Sequence, residues 1–354
     1  MADRIQAEMV AAELLRLSPD YAPTPLLDLP RLAGRLGVAQ VLVKDEGRRA
    51  LGSFKSLGGT YAGLRALARV SGITIERLIA DRPAGLPALL CASDGNHGLA
   101  VAAAAAFAGA PARVFLPAGV PHLRAQRIEL QGADIVWVRG TYDDAVDAAA
   151  EAARGGAGIL IADTTDDPSD PVVGDVMAGY GVIAAEVRAQ VADAGHEAPT
   201  HVFVQGGVGG LAAAIADGVK DWMAAPAGIV VVEPESAACI AAALAADRPV
   251  RIEGALETVA EMLSCGEASA PALAVLRARG AAALTISEFE LAEAPRILRE
   301  CGGPRATPSG AAGLAGAIRL LGDAAAAARF GATVRSRVLI LATERDVEEQ
   351  SARP

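Results

Sequence analysis

Aromatic residues are scarce in this chain, only 3% of 354. Its core must therefore be aliphatic, and with 38 glycines beside abundant alanine its backbones must pack closely. Cysteine is equally sparse, and Cys91, Cys239, Cys265 and Cys301 include no CxxC pair. That spacing argues against a zinc site or a disulfide scaffold and leaves four buried thiols as the expectation. Four dispersed histidines offer no metal-ligand spacing, so no metal is expected. Basic residues are the minority, 32 against 42 acidic, and the net charge of −10 disfavours nucleic acid or an anionic membrane as a partner. No uninterrupted apolar run opens the chain, and the Ala-rich run 99–110 is too short and too weakly hydrophobic to cross a bilayer. A cytoplasmic enzyme is the class that remains.

What is present is ample apolar residue for folding, 52% hydrophobic against 21% charged. At ~150 residues per domain the length predicts two domains. Short β-branched or aliphatic runs recur at 41–44, 88–92, 113–116, 134–138, 158–162, 201–205, 228–233 and 337–341. Ala-rich helical stretches separate them at 97–108, 143–153, 209–219 and 310–321. This alternation predicts an α/β fold with parallel sheets and helices on both faces. Segment 248–308 is less regular, and 166–175 reads as an acidic, proline-containing loop.

In such sheets ligands bind beyond the carboxyl ends of strands, so the loops there carry the chemistry. Lys55, in Gly52-Ser53-Phe54-Lys55-Ser56, opens a predicted helix, where the dipole and partial desolvation favour the nucleophilic neutral amine. Lys44 and Lys55 are the only lysines before Lys220, and an ordinary exposed lysine is the competing reading. Ser93-Asp94-Gly95-Asn96-His97-Gly98 follows a strand; its glycines admit a ligand to the backbone, and Asn96 offers a donor and an acceptor. Simple helix capping would also explain it, and His97 reads as structural. Gly206-Gly207-Val208-Gly209-Gly210 follows the strand 201–205 and has the form of a phosphate cradle. Gly207, Gly209 and Ala212 also satisfy GxGxxA, with Glu233 placed like a ribose-binding acid, so a nicotinamide dinucleotide is a second reading. Asp163 and Thr343 end two further strands. A phosphate cradle, a shielded lysine and an Asn-bearing turn together suit pyridoxal 5′-phosphate (PLP) better than nicotinamide.

Tyr21-Ala22-Pro23-Thr24-Pro25-Leu26, Val43-Lys44-Asp45-Glu46, Ser53-Phe54-Lys55, Ser93–Gly98 and 206–210 resemble the fold-type II PLP enzymes, the tryptophan synthase β and threonine dehydratase kind. Asp94, Tyr142-Asp143-Asp144-Ala145-Val146, Asp163-Thr164-Thr165, Gly179-Tyr180, Glu233-Pro234, Leu263-Ser264-Cys265-Gly266-Glu267 and Ala342-Thr343-Glu344 resemble more narrowly the diaminopropionate ammonia-lyases.

That resemblance implies a two-domain fold, with 1–64 and 166–354 forming a large PLP-binding domain and 65–165 a small one. It implies that Lys55 forms the Schiff base with PLP, that Gly206, Gly207, Val208, Gly209 and Gly210 hold its phosphate, that Asn96 bonds O3′ and that Thr343 meets the pyridine nitrogen. Lys55 and Asp94 would act as bases on opposite faces of the substrate, and Asp163 would contact its distal ammonium. The implied reaction is α,β-elimination of 2,3-diaminopropionate, D and/or L, by a homodimer, giving pyruvate and ammonia. The chain departs from the pattern at Asp166-Asp167-Pro168-Ser169-Asp170, at Thr307 and at Arg345, which leaves serine, threonine and hydroxyaspartate as rival substrates, and a silent amino-acid binder as a rival class.

Overall fold

The computed structural model of the chain describes residues 7, 9–14 and 21–346. It separates into two compact units, Met1–Ala22 with Lys55–Val182, and Pro23–Phe54 with Ile183–Pro354. The sequence expectation had put the divisions at 64/65 and 165/166.

Strands are numbered in chain order: β1 (Leu26–Asp28), β2 (Gln40–Asp45), β3 (Leu89–Ala92), β4 (Ala112–Pro117), β5 (Asp134–Val138), β6 (Ile159–Leu160), β7 (His201–Gln205), β8 (Gly228–Pro234), β9 (Ala282–Ile286) and β10 (Arg337–Ala342). The first unit holds a parallel sheet in the order β5-β4-β3-β6. The second holds a sheet in the order β1-β2-β10-β7-β8-β9, parallel except for the edge strand β1. β3 and β7 are buried at every residue, as strands covered on both faces must be. Leu90, Ala92, Phe115, Ala145 and Ala149 form one core cluster in the first unit. The second unit's core gathers Val41, Val43, Phe203, Val230, Val232 and Ile340 with the apolar faces of its helices. All four cysteines are free and buried. Among the described residues no helix is long and apolar enough to cross a membrane.

Eight strands and the four Ala-rich helices appear where the sequence placed them. Two strands went unread, β1 and β9. The expected loop at 166–175 is corrected in part, because Pro171 begins a 23-residue helix, Pro171–Asp193. Glycines at 174, 179 and 181 depress helix propensity there, but proline suits a first helical position and tertiary packing decides the rest.

That packing is a crossing of two backbones. A Cβ on Gly179 would lie 2.7 Å from Gly58 Cα and 2.8 Å from Leu57 O, and one on Gly58 would lie 2.6 Å from Val176 O. The helix Lys55–Ser71 therefore meets Pro171–Asp193 only because neither carries a side chain at the crossing. Lys55 is the first residue of its helix, one turn from this contact. Gly179→Ala is expected to cost about 1–3 kcal/mol in urea unfolding by overpacking. Gly174→Ala, whose Cβ would meet nothing within 4 Å, is expected to be neutral or stabilising by up to ~1 kcal/mol. Equal unfolding midpoints for the two variants would show that the crossing has slack.

Candidate active site

Lys55 Nζ lies 2.5 Å from Asp163 Oδ2, and Tyr142 donates its hydroxyl to Asp163 Oδ1 at 2.9 Å. The two partners thus occupy both carboxylate oxygens. Burial alone would raise the Asp163 carboxyl, but the Lys55 ammonium and the hydrogen bonds from Lys55 and Tyr142 overcome it and hold the group well below the usual carboxylate range. Tyr142 opens the helix Tyr142–Arg154, whose start is fixed by a capping box between Thr141 and Asp144. Tyr180 packs its ring 6.0 Å from Lys55 Nζ, and burial pushes its phenol up to about 12. The lysine side chain is 20% exposed and is not a solvated surface residue.

The turn after β3 lies beside the loop after β6, since the two strands pair in parallel through Leu89↔Ile159 and Leu90↔Leu160. His97 joins them, with Nε2 2.8 Å from Ile161 O, so that nitrogen carries the proton. Burial lowers the imidazole's pKa and keeps it neutral. Asn96 is the first residue of the helix Asn96–Ala108. No Asp or Asn side chain caps that helix; Ser93 does the work, accepting from Gly95 N and Gly98 N, both at 2.8 Å. Asp94 and Asn96 stand half-buried in the same turn. Gly95, at φ 145°, takes a conformation that other residues avoid.

The second unit carries the glycine turn, between β7 and the helix Gly210–Val219. Gly206 donates its N–H to Val232 O at 2.9 Å, and Cys239 Sγ donates to Gly207 O at 3.3 Å. A Cβ on Gly206 would stand 2.5 Å from Ile240 Cδ1, and one on Gly207 would stand 3.2 Å from Cys265 Sγ. Gly209, at φ 97°, turns the chain into the helix, whose first N–H groups face outward along the dipole. Thr343, at the end of β10, is buried and accepts from Gln205 Nε2 at 2.9 Å.

Glu233 ends the dinucleotide reading. It is fully buried, and its carboxylate accepts from Ile240 N at 2.7 Å and Ala241 N at 2.8 Å. Burial raises its carboxyl to about 7. It caps the helix Cys239–Ala246, and no ribose hydroxyl could reach it.

The structure therefore brings Lys55, Asp163 and the 93–98 turn together in one unit, and Thr343 and the glycine turn to neighbouring strand ends in the other. Tyr142 and Tyr180 stand in motifs that assign them no role, and Gln205 is the last residue of a strand; only the fold puts a partner beside each. Among the described residues no cluster with metal-ligand composition occurs.

The pattern of the family described as "Pyridoxal-phosphate dependent enzyme" matches residues 17–344. The diaminopropionate ammonia-lyase of Salmonella typhimurium is 32% identical over 292 residues, 79% of this chain and 72% of the relative. The Escherichia coli K12 enzyme of that name is 32% identical over 264 residues, which span 73% of this chain and 66% of its own length. The crystal structure of the holo diaminopropionate ammonia lyase from Escherichia coli superposes with a TM-score of 0.86 at 28% identity, covering 98% of this chain and 90% of that one. The same enzyme is known in complex with D-serine and with an aminoacrylate-PLP azomethine reaction intermediate. The residues here fit PLP. The glycine turn has no room for a side chain at Gly206, its Gly207 and Val208 are partly exposed at a helix start, and Lys55 presents a primary amine at another helix start, paired with Asp163. The chain belongs to the pyridoxal-phosphate dependent enzyme family, with the fold-type II architecture and with pyridoxal 5′-phosphate as its cofactor.

Proposed function

We propose that the protein is an ammonia-lyase that converts 2,3-diaminopropionate and water to pyruvate and two molecules of ammonia. PLP supplies the electron sink that makes the substrate's α-proton removable. Lys55 would carry the cofactor's aldehyde carbon and, once displaced by the substrate, take the α-proton on one face. Asp94 would take it on the other face, so that both enantiomers are used. Asn96 would bond the ring hydroxyl, Thr343 the ring nitrogen, and Gly206, Gly207, Val208, Gly209 and Gly210 would enclose the phosphate. Within that turn Gly206 would contribute shape rather than an N–H, because its amide is committed to Val232.

The observation that carries the reading is the Asp163 carboxylate, buried, ionised and already paired with a primary ammonium. When Lys55 is engaged elsewhere, the same carboxylate needs another cation, and the distal ammonium of diaminopropionate is that cation. Serine and threonine carry no charge there and would leave a buried anion uncompensated. A catalytically silent binder would have no use for an acid in each of these two loops. We also propose a cytoplasmic homodimer with no nucleic-acid partner, in keeping with the net charge of −10.

Purified protein is expected to be yellow, and borohydride should fix the cofactor to Lys55. Lys55→Ala should lose that fixation and at least ~10²–10⁴-fold in turnover. Ammonia and pyruvate followed with D- and L-diaminopropionate against serine, threonine and 3-hydroxyaspartate should favour diaminopropionate; turnover of a rival alone would replace the substrate. Asp94→Asn is expected to slow the D-isomer by about 10²-fold or more and the L-isomer far less, and equal losses would remove its role as a facial base.

A further inference from the structure

The carboxamide of Gln205 is 4% exposed, and its two N–H bonds face four oxygens: Gly310 O at 2.8 Å, Thr343 Oγ1 at 2.9 Å, Ser309 O at 3.1 Å and Leu341 O at 3.3 Å. Its Oε1 is buried with no hydrogen-bond partner. This fixes which way the amide is turned. Flipping it would point Oε1 at three carbonyl oxygens that can only accept, so the orientation follows from the backbone. The orphaned oxygen occupies the space left by Gly313, where a Cβ would lie 3.2 Å from it. The backbone of Thr343 is pinned as well, with N–H given to Gly310 O and C=O accepting from Phe54 N, each at 3.1 Å.

A donor facing Thr343 Oγ1 has a consequence for its proton. The hydroxyl accepts from Gln205, so its single proton cannot lie on that line and must be given elsewhere. Accepting one hydrogen bond also polarises the hydroxyl as a donor for the next.

We propose that Gln205 is a positioning residue: it directs the Thr343 hydroxyl to donate to the ring nitrogen of PLP, and so keeps that nitrogen an unprotonated acceptor. The inference rests on the proposed role of Thr343 and adds the residue that sets its polarity. The chain of donors runs one way, from amide to hydroxyl to pyridine nitrogen. Gln205 itself touches neither cofactor nor substrate.

The test uses holoenzyme loaded with PLP carrying ¹⁵N in the ring, read by NMR at neutral pH. Wild type should give the signal of an unprotonated pyridine nitrogen that accepts a hydrogen bond. Thr343→Ala should move it toward that of a nitrogen without a donor. Gln205→Met, similar in shape but with no donor, should move it most of the way to the Thr343→Ala position, and adding it to Thr343→Ala should change nothing more. A purely structural Gln205 would weaken the protein without moving the signal. Should Gln205→Met not fold, Gln205→Asn provides the second variant; its amide is one methylene shorter and cannot hold the same bond to Thr343 Oγ1, so the signal should shift in the same direction. A wild-type signal in the pyridinium range, or an unmoved signal in the Gln205 variants beside a moved one in Thr343→Ala, overturns the proposal alone. An unmoved signal in Thr343→Ala overturns the placement of Thr343 beneath it.

Discussion

A carboxylate taken out of water costs several kcal/mol unless its lone pairs are met by donors and its charge by a cation. Asp163 satisfies both demands with two residues, Tyr142 on one oxygen and Lys55 on the other. Everything else in the first unit can be read as keeping those two within reach. The capping box at Thr141 sets where the Tyr142 helix begins, and the crossing at Gly58 and Gly179 sets where the Lys55 helix begins. His97 binds the loop that carries Asp163 to the turn that carries Asp94 and Asn96. That need for a cation is what the proposed substrate contact rests on.

The scarcity of aromatics bears on this directly. Without bulky residues to fill gaps, precise placement comes from backbones brought into contact. Gly58 against Gly179, Gly98 beneath Val114 and Gly206 beneath Ile240 are all positions where a methyl group would collide with its neighbour. Such contacts tolerate little displacement, because interiors are already close-packed. Small residues thus provide accuracy here, and the side chains that do chemistry are left to stand on rigid element ends.

Most of this was legible in the sequence where a pattern was local. Buried parallel strands announce themselves as apolar runs, and Lys55, Asp94, Asn96 and the glycine turn stand at strand ends where ligands bind. β1 is three residues long, and β9 is alanine-rich and broken by Thr285, so neither rises above its surroundings. The helix from Pro171 was obscured because its glycines signal a loop, and the purpose of Gly179 appears only against Gly58, on a helix far earlier in the chain. The roles of Tyr142 and Gln205 could not be read for a similar reason: Asp163 lies 21 residues from the one, and Thr343 lies 138 from the other. Ser93 as the helix cap was masked by the more obvious Asp94 beside it. Glu233 misled, since spacing suited a ribose contact and only burial revealed a cap.

The two early lysines show most plainly how environment divides chemically identical groups. Lys44 is fully buried, and its ammonium is held by Glu186 Oε2 at 2.6 Å, Thr24 O at 2.8 Å and Gln190 Oε1 at 2.9 Å. All three of its protons are spoken for. Burial lowers its pKa against the pull of Glu186 and Glu46, while Arg49 is bound to the same two carboxylates. An amine so enclosed cannot be approached by a carbonyl without breaking a buried charge network, a loss of several kcal/mol. Lys55 is the contrary case, with a side chain 20% exposed, an ion pair to Asp163 and the Tyr180 ring beside its amine. Sequence alone offered both lysines; burial separates them, since Lys44 is fully enclosed and Lys55 keeps a partly exposed side chain.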